Sequence, residues 1–271
     1  MLPPKGNVTS CDVRGSGPGS RELILLDTKR RLTEVHGIVL TGGSAFGLAS
    51  ADGAMRWLAE NDIGYETKFG LVPIVPAAVI YDLGAGRSDV RPDQEAGRTA
   101  CAAASETFET GRIGAGTGAT VGKWAGREAA VSGGLGAARI EEGPHVVHAL
   151  AVVNAVGDVL APDGTVLAGT KAPAPEPVQQ DTPPEEPPMN TVLVLATVIG
   201  TFEKREVQWL AQRASDGVTI SIRPAHTRYD GDVSFVVATP GPSEPNDLDV
   251  LGPLVTRAVA AAVRASVTPP S

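Results

Sequence analysis

The residue type best suited to nucleophilic chemistry at a telling position is Thr191. It follows Asn190 and opens TVLVLATVI, an apolar, β-branched run that reads as a strand buried on both faces. Ahead of it, residues 171–189 are KAPAPEPVQQDTPPEEPPM, which by composition is an extended linker. A linker thus ends within two residues of a core strand. That layout suits a chain that cuts itself to expose an N-terminal nucleophile, and it equally suits a plain loop feeding a strand. Asp230 and Asp232 flank Gly231. Their alternation puts both carboxylates on one side of an extended backbone, with Gly231 allowing close approach. The same DG dipeptide is also a common hairpin turn. Asn154, Lys123 and Tyr81 each have an ordinary reading as well: a turn former, a solvated lysine after a glycine loop and a core aromatic.

Two glycine clusters punctuate the chain. Gly42-Gly43-Ser44-Ala45-Phe46-Gly47 follows the strand-like HGIVLT and leads into a run with Leu48, Ala51, Met55 and Leu58 at helical spacing. Strand, glycine turn and helix would cradle a ligand, with Ser44 near helix-start N–H groups that favour anions. The second cluster, Gly114 to Lys123, fails as a P-loop. Thr117 stands where the first glycine belongs, and Trp124 replaces the magnesium-binding Ser or Thr. A dinucleotide site lacks its preceding strand and its later acid.

The 271 residues carry a net charge of -8 and no long basic run, which argues against nucleic acid as a partner. Apolar stretches are broken by Gly or Pro short of a membrane span, and the N-terminus lacks a signal-peptide pattern. Cys11 and Cys101 match no disulfide or metal pattern and fit a reducing cytoplasm. His36, His145, His148 and His226 have no zinc-type spacing, so neither metal nor cofactor is expected.

These residues need elements to hold them. Strands are expected over Gly37–Leu40, Val72–Ile80, around Arg139, and over Val146–Asn154, Thr191–Ile199 and Ser234–Ala238. Helices are expected over Ala45–Glu60, Asp93–Phe108, Lys204–Ala214 (running on toward Ile222) and Leu248–Ser266. Asp163-Gly164 supplies a turn between short strands at Asp158–Leu160 and Thr165–Leu167. The rhythm is not that of a parallel βαβ sheet; it predicts an α+β chain with helices layered over sheet.

Six blocks, in order, carry a resemblance: TGGSAFGLASADGAMRWLAE, VPAAVIYDLGAGRSDVRPD, GRIGAGTGATVGKWAG, ALAVVNAVGDV, NTVLVLATV and IRPAHTRYDGDVSFVVAT. From about Asp12 to Pro240 the chain resembles the self-processing L-aminopeptidase/D-esterase family, which includes β-aminopeptidases and a nylon-oligomer hydrolase. The resemblance implies an N-terminal-nucleophile hydrolase in a four-layer αββα sandwich. It implies one domain over residues 1–271, cut into chains 1–190 and 191–271. It further implies small peptide or amide substrates and a homo-oligomer of four or more copies. The family's junction is usually Asn-Thr-Thr or Gly-Ser; here it is Asn190-Thr191-Val192.

Carried over residue by residue, the resemblance makes Thr191 the nucleophile of both self-cleavage and substrate turnover. Attack on the Asn190 carbonyl is an N-to-O acyl shift, and hydrolysis of the ester frees the Thr191 α-amine. Its reference pKa of about 7.7–8.0 lets it serve as the hydroxyl's own base. Asn154 matches an oxyanion-hole amide. Tyr81 matches a second oxyanion or substrate contact, and Lys123 a cation beside the nucleophile. Asp230 and Asp232 match the nylon-hydrolase branch, where this pair holds the nucleophile's amine and a substrate amine. β-Aminopeptidases carry Ser and Glu there instead.

The family's N-terminal region is usually longer than what precedes Val8 here, so either the start is mis-assigned or the first strand is absent, leaving a sheet edge exposed or paired differently. Two further readings stand beside the hydrolase. One is an acyltransferase resembling the ornithine acetyltransferases, which also cut before a threonine. The other is an inactive relative that folds without cleaving.

Overall fold

Runs of alternating large apolar residues dictate the centre of the molecule. In the computed structural model residues 1–171, 189–241 and 247–268 are described; the linker expected over 171–189 lies, except at its two ends, outside the described residues. The strands that matter for the site are β1 (Val8–Gly15), β2 (Gly19–Arg21), β3 (Val39–Thr41), β4 (Ala77–Val79), β5 (Gly134–Glu142), β6 (His145–Asn154), β7 (Thr191–Ile199) and β8 (Gly231–Thr239). The helices are α1 (Ala49–Glu60), α2 (Gln94–Ala102), α3 (Lys204–Thr219) and α4 (Leu248–Ala265).

Five strands form the main sheet in the order β1-β8-β7-β6-β5, and a second sheet has the order β2-β4-β3. All neighbours in the main sheet are antiparallel except β7 and β8, which run parallel. Period-two alternation splits β7 between two cores. Val192, Val194, Ala196 and Val198 pack with α3 and α4, while Leu193 and Leu195 face Ile38, Ala78 and Ile80 of the second sheet's layer. A third core joins Ala51, Ala54 and Leu58 of α1 to Val75 and Ala77. The layers therefore run helix, sheet, sheet, helix, the αββα order expected. Each fully buried Val or Leu contributes roughly 1.5–3 kcal/mol, which is why strands apolar on both faces take the centre.

Several elements differ from the sequence expectations. The run Val72–Ile80 is not one strand: Pro73 and Pro76 break it into a ribbon strand, Gly70–Val72, and β4. The helix expected from Ala45 begins as a 3-10 turn over Ser44–Leu48, because Gly43 and Ser44 both have positive φ. Asp93 caps α2 by accepting from the Ala96 N–H, but the helix stops at Ala102, well short of Phe108. Helix α3 does run on, to Thr219, from a capping box of Glu203 and Glu206. Strand β8 starts at Gly231, so Asp230-Gly231-Asp232 enters a strand and forms no hairpin turn. The strand starting at Val8 is present as the sheet edge, and the Met1 ammonium ahead of it donates to the Ile38 carbonyl at 2.9 Å.

Candidate active site

Strand register brings the candidate residues together. Asn154, the last residue of β6, pairs directly with Thr191, the first of β7. On the other flank Asn190 forms a parallel bridge to Asp230. There Asn190 N–H donates to the Tyr229 carbonyl at 3.2 Å, and Gly231 N–H donates to the Asn190 carbonyl at 3.0 Å. The Asp230 carbonyl is itself held by Ser16 N–H and Gly17 N–H at 2.9 and 3.1 Å. The turn after β1 thus fixes the entry to β8.

The Thr191 hydroxyl donates to the Asn190 carbonyl oxygen at 2.5 Å. That oxygen receives two donors, the Thr191 hydroxyl and the Gly231 N–H. An N–H fixed against a carbonyl oxygen in this way can stabilise negative charge on that oxygen.

The side chains around the bond are almost wholly withdrawn from water: Asn154 1%, Asn190, Asp230 and Asp232 2%, Thr191 4% and Lys123 5% exposed. Burying so many polar groups is costly without partners, so the contacts decide what the cluster does. Lys123 Nζ donates to the Asn154 side-chain oxygen at 2.8 Å and to its backbone carbonyl at 3.1 Å. Thr120 N–H donates to the same side-chain oxygen at 3.1 Å. Two donors on Oδ1 fix the orientation of the amide, whose Nδ2 donates to the Tyr81 carbonyl at 3.0 Å. Tyr81 thus meets the cluster through its backbone, while its half-buried ring lies under the Arg127 guanidinium. Burial and the neighbouring Arg127 charge pull Lys123 down to about 7, against the upward pull of Asp230 and Asp82.

The two aspartates divide their work. Asp232 Oδ1 accepts from Val192 N–H at 2.6 Å, and its Oδ2 lies 2.7 Å from His226 Nδ1. Asp230 Oδ2 accepts from Thr227 N–H at 2.6 Å. Burial and the charge of Asp232 push the Asp230 carboxyl up to about 6 despite that bond. A carboxyl and an amine with values near neutral, buried beside one peptide bond, are groups able to exchange protons near neutral pH.

The sequence profile described as peptidase family S58 matches residues 2–269. The chain belongs to peptidase family S58. An uncharacterized aminopeptidase of Mycobacterium leprae is 40% identical over 259 residues, covering 88% of this chain and 69% of that protein. A 6-aminohexanoate-oligomer endohydrolase of Agromyces sp. is 32% identical over 218 residues, 75% of this chain and 60% of that one. Among solved structures, a Burkholderia sp. β-aminopeptidase matches with a TM-score of 0.71 at 18% identity, covering 96% of this chain and 73% of that one. An L-aminopeptidase D-Ala-esterase/amidase from Ochrobactrum anthropi, described as a variant of the Ntn hydrolase fold, matches at TM-score 0.68 and 19% identity, over 96% and 72% of the chains. The S58 chain therefore has an N-terminal-nucleophile hydrolase fold.

Three features of this chain differ from the sequence expectations. The Gly231 N–H carries no signal in residue type, since any non-proline residue has one. His226 lies in the block IRPAHTRYDGDVSFVVAT, where the lack of metal-type spacing gives it no role by sequence. The glycine turn at Gly43-Ser44 does not await an external anion: Gly43 N–H donates to the Asp82 carboxylate at 2.7 Å and Ser44 N–H to the Ile80 carbonyl at 3.0 Å. A cavity of about 930 Å³ opens beside that turn, walled by Asp82, Leu83, Arg112 and Gly118 among others. It is lined by none of Thr191, Asn154, Lys123, Asp230 and Asp232. The hydrogen-bonded cluster, not the cavity, is the better guide to the chemistry.

Proposed function

We propose that this S58 peptidase cuts its own Asn190–Thr191 bond and then uses Thr191 as the N-terminal nucleophile of an aminopeptidase or amidohydrolase. The observation that carries the reading is the Thr191 hydroxyl 2.5 Å from the Asn190 carbonyl oxygen, which Gly231 N–H also binds. In the acyl shift, Oγ1 bonds to the Asn190 carbonyl carbon and its proton passes to the departing Thr191 nitrogen. The C–N bond breaks, and water then hydrolyses the ester to an Asn190 carboxylate and a free Thr191 hydroxyl. The exposed α-amine becomes the base for later turnovers. Lys123, Asn154, Asp230 and Asp232 are the groups that stabilise charge and hold protons around it, and the Tyr81 segment anchors the Asn154 amide. Substrates are small peptides, amino-acid amides or ω-amino-acid oligomers, in keeping with the names of the relatives.

The same reading takes the chain as one domain that becomes two pieces, assembled as a homo-oligomer of four or more copies in the cytoplasm. Supporting assembly, the ribbon of Tyr65–Thr67 and Gly70–Val72 exposes Tyr65, Phe69, Leu71 and Val72 together. Among the described residues no helix is long and apolar enough to cross a membrane.

The test is intact mass and a denaturing gel on purified protein. The expected pieces end at Asn190 and begin at Thr191, and Thr191→Ala stays whole. A wild-type chain that remains intact on long incubation would sink the reading. Cleaved protein should release amine from aminoacyl-p-nitroanilides without transferring the acyl group to added ornithine; transfer would favour the acyltransferase instead.

A further inference from the structure

His226 has no role in the chemistry described so far, yet its geometry is unusual and specific. It is a non-glycine residue at φ 54, in the left-handed region that side chains with a Cβ rarely adopt. That backbone setting delivers both ring nitrogens to fixed partners: Nδ1 lies 2.7 Å from Asp232 Oδ2, and Nε2 lies 3.1 Å from the Ser215 carbonyl of α3. A backbone carbonyl only accepts, so Nε2 must carry a hydrogen. A neutral ring would then turn a bare Nδ1 toward a carboxylate oxygen, lone pair against lone pair. A proton must therefore lie between Nδ1 and Oδ2, either on the ring, as an imidazolium facing a carboxylate, or on Asp232, as an acid facing a neutral ring.

The other oxygen of that carboxylate holds Val192 N–H, one residue past the reacting threonine. We propose that His226 is a positioning residue: as an imidazolium it clamps the Asp232 carboxylate onto the Val192 N–H, and so fixes the orientation of Thr191 at the Asn190–Thr191 bond. This rests on the Thr191 reading above. The surroundings are consistent with a charged clamp. Burial opposes the cation, but the hydrogen bond and charge of Asp232 outweigh it, and the net direction for His226 is upward. Arg14 of β1, in register with Asp232, works against the cation while its own Nε is bonded to Asp12 at 2.6 Å. Asp12 also accepts from the Ser215 hydroxyl at 2.7 Å, tying α3 to the same network. Asp230 is the remaining carboxylate facing the pair, and Lys123 is the cation that faces Asp230. With Asp232 committed to the clamp, Asp230 is the carboxyl left to exchange a proton near neutral pH.

The test uses the full chain in two arms. In uncleaved Thr191→Ala protein, nitrogen NMR of His226 should show both ring nitrogens protonated at pH 7, and His226→Gln should remove those signals. Adding Asp232→Asn should return the ring to one neutral tautomer titrating near its reference value of about 6.5. In the second arm His226→Gln, which restores a hydrogen-bond donor without charge, should slow self-cleavage at least ~10-fold. It should also move the acid limb of the rate profile to higher pH, because two carboxylates then face each other without the cation. A neutral single tautomer at pH 7, or a His226→Gln protein with an unmoved rate and profile, overturns the clamp. The NMR arm does not need cleavage, so a wild-type chain that stays whole counts against the Thr191 reading and leaves the clamp to be decided by the spectrum.

Discussion

At the scale of single residues, the bond between Asn190 and Thr191 is distinguished by what touches its carbonyl oxygen. The Gly231 N–H contact depends on the absence of a side chain: a Cβ on Gly231 would lie 2.3 Å from the Gly17 carbonyl oxygen. Gly231→Ala must therefore shift either the entry to β8 or the Gly17 turn packed on it, and so disturb the amide's contact with the Asn190 oxygen. Self-cleavage is expected to slow about 100-fold, the usual loss for one oxyanion donor, as followed by the rate of chain splitting. Titration gives a second expectation, measured as denaturant stability against pH in the uncleaved Thr191→Ala chain. Asp230 has a folded value of about 6, above its unfolded value of about 3.9. The folded state holds that proton longer, so the contribution is full below about pH 4 and is lost as pH rises to 6. Lys123 falls to about 7 from an unfolded value of about 10.4. Its contribution is full above that value and is lost as pH falls through 7. A stability trough between these windows is expected, with Asp230→Asn removing the acid-side slope and Lys123→Met the basic-side one. Thr191, Asn154, Lys123, Asp230 and Asp232 were legible as candidates only through the six ordered blocks, each having an ordinary reading on its own. Gly231 and His226 were not: one acts through its backbone, and the other takes its meaning from a partner carboxylate six residues on that only the fold brings to its ring.

At the scale of elements, register does the assembling. Because β6 and β7 pair antiparallel and end on the same rung, Asn154 has no choice but to face Thr191. The apolar alternation of both strands was plain in the sequence, and so was the burial of β7 on both faces. The parallel partnership of β7 with β8 was not, since pairing between strands some forty residues apart leaves no local trace. Prolines set the limits of what periodicity could show, cutting Val72–Ile80 in two where hydropathy alone saw one run. The outer helices depend on contact distance. A Cβ on Gly53 of α1 would sit 1.7 Å from the Gln94 carbonyl oxygen, and one on Gly97 of α2 would sit 1.8 Å from that of Ser50. Helix propensity would favour alanine at either position by about 1 kcal/mol. Overpacking opposes it by about 1–3 kcal/mol, so Gly97→Ala is expected to lower the melting temperature of the uncleaved chain.

At the scale of the molecule, the αββα order sets the Asn190–Thr191 bond at the end of the main sheet, where β1, β6, β7 and β8 converge. Native mass spectrometry is expected to show four or more copies, with Phe69→Ser, at 88% exposure the most uncovered aromatic of the ribbon, reducing the assembly. The sheet order carries a consequence of its own. Strands β8 and β7 come from residues after Asn190, and they lie between β1 on one side and β6 on the other, both from residues before it. Cutting one peptide bond would leave two polypeptides laced like the fingers of clasped hands. Neither can leave without breaking a full ladder of hydrogen bonds on each flank and opening both cores. The severed protein should migrate as one species in native chromatography, come apart only in denaturant, and melt in a single transition. The scar would therefore leave the size and the unfolding of the folded protein unchanged.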